Sequence, residues 1–163
     1  MNENKPPKHP FEPRLEFAFT VSIQLSKGLY LSPGNMGAER AAVYVESGEF
    51  EGPNIRGKVL PFSGGDWPLV RPDGVIDFDA RYLLQADDGT LIYMQNRGYR
   101  WSSPEVLARL QRQEVVDPDE YYMRVSPKFD VPMGPHDWLD RHVFVGVAEK
   151  TPGSNRIHYF KVL

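Results

Sequence analysis

The feature that most restricts the fold is the strict alternation of side chains between Leu15 and Leu25. Every second position is apolar, and smaller or polar residues stand between them. Successive side chains of a strand point to opposite faces, so this run predicts a long β-strand with one buried face. Further strands are predicted at 40–50, 54–61, 75–86, 90–97, 120–130, 141–149 and 156–163.

Turn sequences separate these predicted strands, and Asp88-Gly89 between two alternating runs is typical of a short hairpin. Eight or more antiparallel strands in 163 residues favour a closed barrel, which leaves no exposed edge. The prediction is an all-β fold: a single antiparallel β-barrel of eight to ten strands over residues 14–163. A two-sheet sandwich is the alternative. Residues 1–13 are polar and proline-rich, and are predicted to form a flexible N-terminal arm.

One segment has a helical pattern instead. Ser103 can cap a helix N-terminus, Pro104 suits the first helical position, and apolar residues follow at helical spacing. One short helix is therefore predicted within 103–114, inserted between two strands.

Composition excludes several classes of function. With 19 basic and 22 acidic residues the net charge is −3, which argues against binding to nucleic acid or a membrane surface. No apolar run reaches the roughly 18 residues of a membrane-spanning helix. There is no cysteine, and the four histidines lack the spacing of metal ligands, so neither metal nor cofactor is expected. The N-terminus has no apolar signal-peptide core, and a cytoplasmic location is predicted.

Two strands carry paired polar residues that suit an anionic aromatic ligand. Asp79 and Arg81 share one strand face, and Tyr122 and Arg124 do the same on another strand. The planar guanidinium of arginine binds both oxygens of a carboxylate. The alternative is that Phe78, Ala80 and Tyr82 face the core, which would leave Asp79 and Arg81 on the solvated outside.

Two loops offer further candidates. Asp66 and Trp67 follow a glycine-rich turn, where the tryptophan could stack on a ring and the acid accept a phenolic proton. Alternatively, Trp67 plugs the barrel end and Asp66 bonds the turn backbone. His136 and Trp138 form a second possible rim, although a lone loop histidine is more often simply exposed.

Many short motifs also resemble one known family, the domain-of-unknown-function family numbered 3237. The matching motifs are Gly48–Pro53, Gly57–Pro61, Gly65–Trp67, Asp73-Gly74, Arg81-Tyr82, Asp88-Gly89, Asn96–Gly98, Tyr122, Arg124, Pro127, Phe129 and Trp138–Asp140. The resemblance covers residues 14–163 and implies a calycin-like barrel. It also implies, from some relatives, cofactor-independent decarboxylation of lignin-derived phenylcoumaran dimers.

The predicted function is therefore a cofactor-independent lyase acting on an aromatic carboxylate. Arg81 or Arg124 would hold the carboxylate, Tyr122 or Tyr82 would protonate the departing phenoxide, and Asp66 would hold a free phenol. Substrate contacts are assigned to Trp67, Asp79, Tyr82, Arg124, His136 and Trp138. The alternative is a non-catalytic barrel that binds a small hydrophobic or aromatic ligand. Asp66, Trp67, Arg81, Tyr122 and Arg124 are expected to converge on one cavity, and a homodimer is expected through exposed strands.

Overall fold

Eight antiparallel strand positions close into a barrel. The computed structural model describes residues 9–163, so most of the predicted N-terminal arm lies outside the described residues. The strands are β1 (Leu15–Leu25), β2 (Leu29–Tyr30), β3 (Glu39–Glu51), β4 (Arg56–Val59), β5 (Gly65–Asp66), β6 (Leu69–Val70), β7 (Ile76–Ala86), β8 (Leu91–Ser102), β9 (Tyr121–Asp130), β10 (Phe144–Thr151) and β11 (Ser154–Val162). Around the barrel the order is β1-β11-β10-β9-β8-β7-β4-β3, and pairing of β1 with β3 closes it. The predicted all-β antiparallel barrel is confirmed.

Three short strands share the position between β3 and β7. β4, β5 and β6 each pair with both neighbours and together replace one continuous strand. Pro61 and Pro68 stand between them, and proline cannot donate a ladder hydrogen bond. The strand predicted at 54–61 is therefore only Arg56–Val59.

The predicted helix is α1 (Pro104–Gln111), which directly follows β8. The Ser103 hydroxyl accepts a hydrogen bond from the backbone N–H of Val106 at 3.3 Å, and Pro104 begins the helix. Val106 and Leu110 are buried against the barrel. Two 3₁₀ turns, Pro118–Glu120 and Asp137–Leu139, complete the regular structure.

Aromatic rings fill one end of the barrel. Phe19 contacts Phe50, Phe129 and Tyr159 with ring centroids 5.8, 5.9 and 5.2 Å apart. Phe144 adds an edge contact to Phe129 at 5.3 Å. We call this the closed end, and the opposite end, where β8 runs into α1, the open end. Because the rings occupy the closed end, any sizeable cavity must lie toward the open end.

Candidate functional site

The open half of the barrel encloses a cavity of about 370 Å³, within the range of small-molecule sites. Its walls mix apolar residues with polar side chains, which are Tyr30, Glu39, Asp66, Arg100, Gln111, Gln113, Lys150 and Asn155. A smaller chamber of about 40 Å³ continues toward the closed end. The two share Leu25, Asp66, Phe78, Met123 and Asn155 as lining residues. We call them the outer and inner chambers.

Asp66 is the acid that lines both chambers. It ends β5, and its Oδ1 accepts a hydrogen bond from the backbone N–H of Asp79 on β7 at 3.0 Å. Desolvation raises the pKa of Asp66 from 3.8 to about 6, and the negative charge of Asp79 adds to this rise. The hydrogen bond from Asp79 opposes the rise without cancelling it. Asp66 can therefore exchange a proton near neutral pH.

Two cations line the outer chamber with Asp66. Arg100 lies on the inward face of β8, and Lys150 lies near the end of β10. Within residues 9–163, neither has a carboxylate within ion-pair distance. Burial lowers the pKa of Lys150 from 10.5 to about 8, and the charge of Arg100 contributes. Burial also lowers the pKa of Arg100, although a guanidinium stays protonated. An anionic group could bind to these two cations, beside the acids Glu39 and Asp66 of the same lining.

The backbone around Lys150 is fixed by a neighbouring strand. Its N–H donates a hydrogen bond to the hydroxyl of Tyr121 on β9 at 2.8 Å. Leu107 and Leu110 of α1 line the outer chamber from the side, and Tyr30 does so from β2. The helix therefore forms part of the cavity wall.

Of the residues selected from the sequence, Asp66 and Tyr82 face the cavity. Tyr82 lines the inner chamber and is 3% exposed. Burial raises the pKa of its hydroxyl well above its usual value, so it stays protonated.

The paired residues of β7 face outward. Phe78, Ala80 and Tyr82 line the cavity, so Asp79 and Arg81 lie on the outer wall. Arg81 Nη2 is 3.3 Å from Asp79 Oδ2, and half of the Arg81 side chain is exposed. The structure thus shows the alternative stated in the sequence analysis, in which Asp79 and Arg81 lie on the solvated outside of the barrel.

Tyr122 and Arg124 also lie on the outer wall. The guanidinium of Arg124 lies 5.2 Å from the ring centroid of Tyr122, and the ring of Trp101 stacks on the ring of Tyr122 with centroids 5.6 Å apart. Tyr122 and Arg124 line an external groove, away from the barrel interior. The expected convergence of Asp66, Trp67, Arg81, Tyr122 and Arg124 on one cavity is therefore wrong.

The remaining candidates lie away from the cavity too. Trp67 is 38% exposed and contacts Tyr44 edge-on. Trp138 packs against Phe144 near the closed end, with ring centroids 5.9 Å apart. His136 Nε2 lies 2.9 Å from Asp88 Oδ2 in the hairpin that follows β7.

Sequence reasoning missed Arg100, Lys150 and two asparagines, Asn96 and Asn155. The signal for two of them was present in β8, where Met94, Asn96, Gly98 and Arg100 alternate on one face. The predicted strand stopped at residue 97, but the pairing with β7 continues to Arg100. Polar residues on an otherwise apolar face of β8 were the signal for a cavity site.

Within residues 9–163, no group of three or more His, Asp or Glu side chains is placed to hold a metal ion. In the same part of the chain, no helix is both long enough and apolar enough to cross a membrane.

Comparison with known proteins identifies the family. Residues 13–162 match the model described as "Protein of unknown function (DUF3237)". The chain belongs to this family. A UPF0311 protein of Clostridium acetobutylicum is 33% identical over 151 residues, which cover 93% of this chain and 95% of that protein. Another from Rhodopseudomonas palustris is 36% identical over 139 residues, covering 85% and 90%.

Several solved structures share the fold. A crystal structure of a conserved protein of unknown function from Rhodopseudomonas palustris has a TM-score of 0.86 at 31% identity, covering 93% of this chain and 98% of that one. A β-barrel like protein from Acinetobacter baumannii has a TM-score of 0.82 at 31% identity, covering 95% and 99%. A Penicillium herquei protein described as an enzyme, at 22% identity and a TM-score of 0.72 over 96% and 99%, shares the fold.

Proposed function

We propose that the protein is a cofactor-independent lyase that decarboxylates an aromatic carboxylate inside the outer chamber, with a phenylcoumaran-type dimer acid as the substrate class. The observation that carries the proposal is the grouping of Asp66, Arg100 and Lys150 around one cavity whose walls also contain many apolar side chains. Apolar walls suit aromatic rings, and the two cations suit a carboxylate. The cavity of about 370 Å³ is large enough for a two-ring acid.

Each polar side chain has a role in this reaction. The Arg100 guanidinium binds the carboxylate through two hydrogen bonds. When carbon dioxide leaves, the electron pair of the broken C–C bond forms a C=C bond, and the adjacent C–O bond of the ring opens. The resulting phenoxide takes a proton from Asp66, and Lys150 stabilises the negative charge as it moves. The products are a stilbene and carbon dioxide, and Asp66 regains its proton from water.

The raised pKa of Asp66 suits this proton transfer. A phenoxide is the conjugate base of an acid with a pKa near 10. An Asp66 with a pKa of about 6 therefore donates its proton downhill, yet remains partly protonated near neutral pH. In this proposal Arg100 and Asp66 take the roles first given to Arg81 and Tyr122, because the latter pair lies on the outer wall.

A non-catalytic binding protein for the same kind of ligand is the second candidate. The observation that favours it is the apolar part of the wall, which includes Val43, Val70, Ile76 and Phe78. The cytoplasmic location and the homodimer remain predictions under either function.

The test uses chelator-treated protein and a panel of phenylcoumaran-type acids, with stilbene absorbance and carbon dioxide as readouts. Arg100→Gln should lower kcat/KM about 100-fold, the effect of losing about 2–3 kcal/mol of charge-assisted bonding. Arg97→Gln is the matched control, because Arg97 is on the same strand but exposed. Binding of an acid by calorimetry without turnover across the panel would favour the binding protein. Full activity in Arg100→Gln would overturn the assigned site.

A further inference from the structure

The inner chamber contains a buried carboxamide whose oxygen lacks a partner. Asn96 is 4% exposed and lines this chamber from β8. Its Oδ1 is enclosed and has no hydrogen-bond partner within residues 9–163. An enclosed, unbonded amide oxygen costs stability, and an apolar side chain of similar size would avoid this cost. A hydrogen-bond donor that enters the chamber could bind this oxygen.

A second carboxamide reaches the chamber from another wall. Asn155 lies on β11, separated from β8 by β9 and β10, and it lines both chambers. Its Oδ1 is likewise enclosed and without a partner among the described residues. The rest of the inner lining is mainly apolar, including Val45, Val125 and Ile157. The two carboxamides, the Asp66 carboxyl and the Tyr82 hydroxyl are therefore the polar side-chain groups of this lining.

The size of the chamber limits what can enter it. A volume of about 40 Å³ is enough for a water molecule or a small substituent. An aromatic ring needs a cavity of about 150 Å³, so the ring itself must stay in the outer chamber. Phe78 and Met123 line both chambers and mark the passage between them.

We propose that the inner chamber is a recognition subsite for a hydroxyl group carried by the ring of the ligand. A hydroxyl both donates and accepts, and a carboxamide offers an oxygen acceptor and NH₂ donors. A carboxylate only accepts hydrogen bonds, so it cannot satisfy the two amide oxygens, whereas Arg100 and Lys150 attract it in the outer chamber. This proposal rests on the proposed function only in placing the ligand in the same cavity.

The two subsites define the length of the ligand. The Cα atoms of Asn96 and Arg100, four residues apart on one face of β8, are ~13 Å apart at about 3.3 Å per residue. A ligand that places a carboxylate near Arg100 and a ring hydroxyl in the inner chamber extends along this stretch of β8. Two linked rings suit that arrangement.

The test compares two uncharged probes, 4-hydroxystilbene and 4-methylstilbene, which differ by a hydroxyl in place of a methyl of similar size. Neither carries a carboxylate, so the measurement does not depend on Arg100 or on turnover. By fluorescence titration, the wild-type protein should bind the hydroxyl probe at least about tenfold more tightly. Asn96→Leu should abolish the preference, and Asn155→Leu should reduce it. Gln95→Leu, on the outer face of the same strand, should retain it.

Several outcomes would overturn the subsite. Equal affinity of the wild-type protein for both probes would do so without any variant, and would indicate that the chamber holds only a structural water. A preference that persists in Asn96→Leu, or no binding of 4-hydroxystilbene to the wild type, would also do so. A clear hydroxyl preference together with no decarboxylation of any acid would leave the subsite standing and reject the lyase.

Discussion

The backbone N–H of Asp79 donates a hydrogen bond to Oδ1 of Asp66 at 3.0 Å, while the Asp79 carboxylate lies on the outer wall. Desolvation raises the pKa of Asp66 to about 6. Although desolvation acts on Asp79 too, hydrogen bonds from Arg81 and Gln95 lower the pKa of this second acid. The barrel wall therefore separates two carboxyl groups whose pKa values are shifted in opposite directions.

The first prediction concerns stability and Asp66. Its folded pKa of about 6 lies above its ordinary value of 3.8, so folding favours the protonated form. The resulting contribution is present below pH 3.8 and is lost as the pH rises through about 6. At pH 7.5, Asp66→Asn should therefore be more stable than the wild type by about 1–3 kcal/mol, because the neutral amide avoids the desolvation cost. Urea unfolding at pH 4.5 and 7.5 measures this.

Asp79→Asn provides the control for this experiment. Its pKa is lowered in the fold, so removing its charge should give no gain at pH 7.5. If the wild-type protein has a larger free energy of unfolding than Asp66→Asn at pH 7.5, the assigned burial of Asp66 is contradicted.

The second prediction concerns the reactivity of Lys150. Its folded pKa of about 8 leaves much of the amine neutral at pH 8, since the neutral form increases as the pH rises through that value. Brief treatment with acetic anhydride at pH 8, followed by peptide mass analysis, should label Lys150 ahead of the exposed Lys58. An aromatic acid in the cavity should protect Lys150 and leave Lys58 unaffected. Slower labelling of Lys150 than of Lys58 would count against this assignment.

The third prediction separates the two sets of arginines. Arg81 is half exposed and forms a surface ion pair with Asp79, and such pairs contribute about 0–1 kcal/mol. Arg81→Gln should thus change the free energy of unfolding by less than about 1 kcal/mol, and leave ligand affinity unchanged. Calorimetry with an aromatic acid, run beside Arg100→Gln, measures the difference. If Arg81→Gln loses ligand affinity and Arg100→Gln does not, the carboxylate is bound by Arg81 on β7, as first predicted from the sequence.

The fourth prediction concerns the close approach of β8 to β9. A Cβ atom at Gly98 would lie 2.1 Å from the carbonyl oxygen of Arg124, so the two strands would have to separate. Gly98→Ala should destabilise the protein by about 2–4 kcal/mol. Gly34→Ala is the control, because no atom lies within 4 Å of the Cβ built there. Equal midpoints for the two variants in thermal unfolding would refute the argument.

The alternating runs predicted the barrel because the two-residue period of a strand is local. The run from Leu15 to Leu25 forms β1 with the same bounds, and Ser103-Pro104 begins the helix as its capping chemistry predicts. The family motifs led to the same fold. Local rules were therefore sufficient for element type and for closure.

The site could not be predicted in the same way because alternation does not say which face is inside. Asp79 and Arg81 looked like a functional pair, yet the larger apolar neighbours Phe78 and Tyr82 took the interior. Lys150 becomes a cavity residue only once β10 pairs with β11, which lies across a turn. Lys150 and Asp66 line the same chamber although they are 84 positions apart in the sequence, which no local pattern records.

The separation of the aromatic closed end from the open end also bears on how such proteins diversify. The rings around Phe19 contribute to folding, whereas the outer chamber is bordered by α1 and by residues at the ends of strands. Substitutions at the open end can alter which molecule is accepted without disturbing that aromatic cluster. Substitutions at the open end of such a barrel can therefore change ligand selectivity while the aromatic cluster keeps the fold stable.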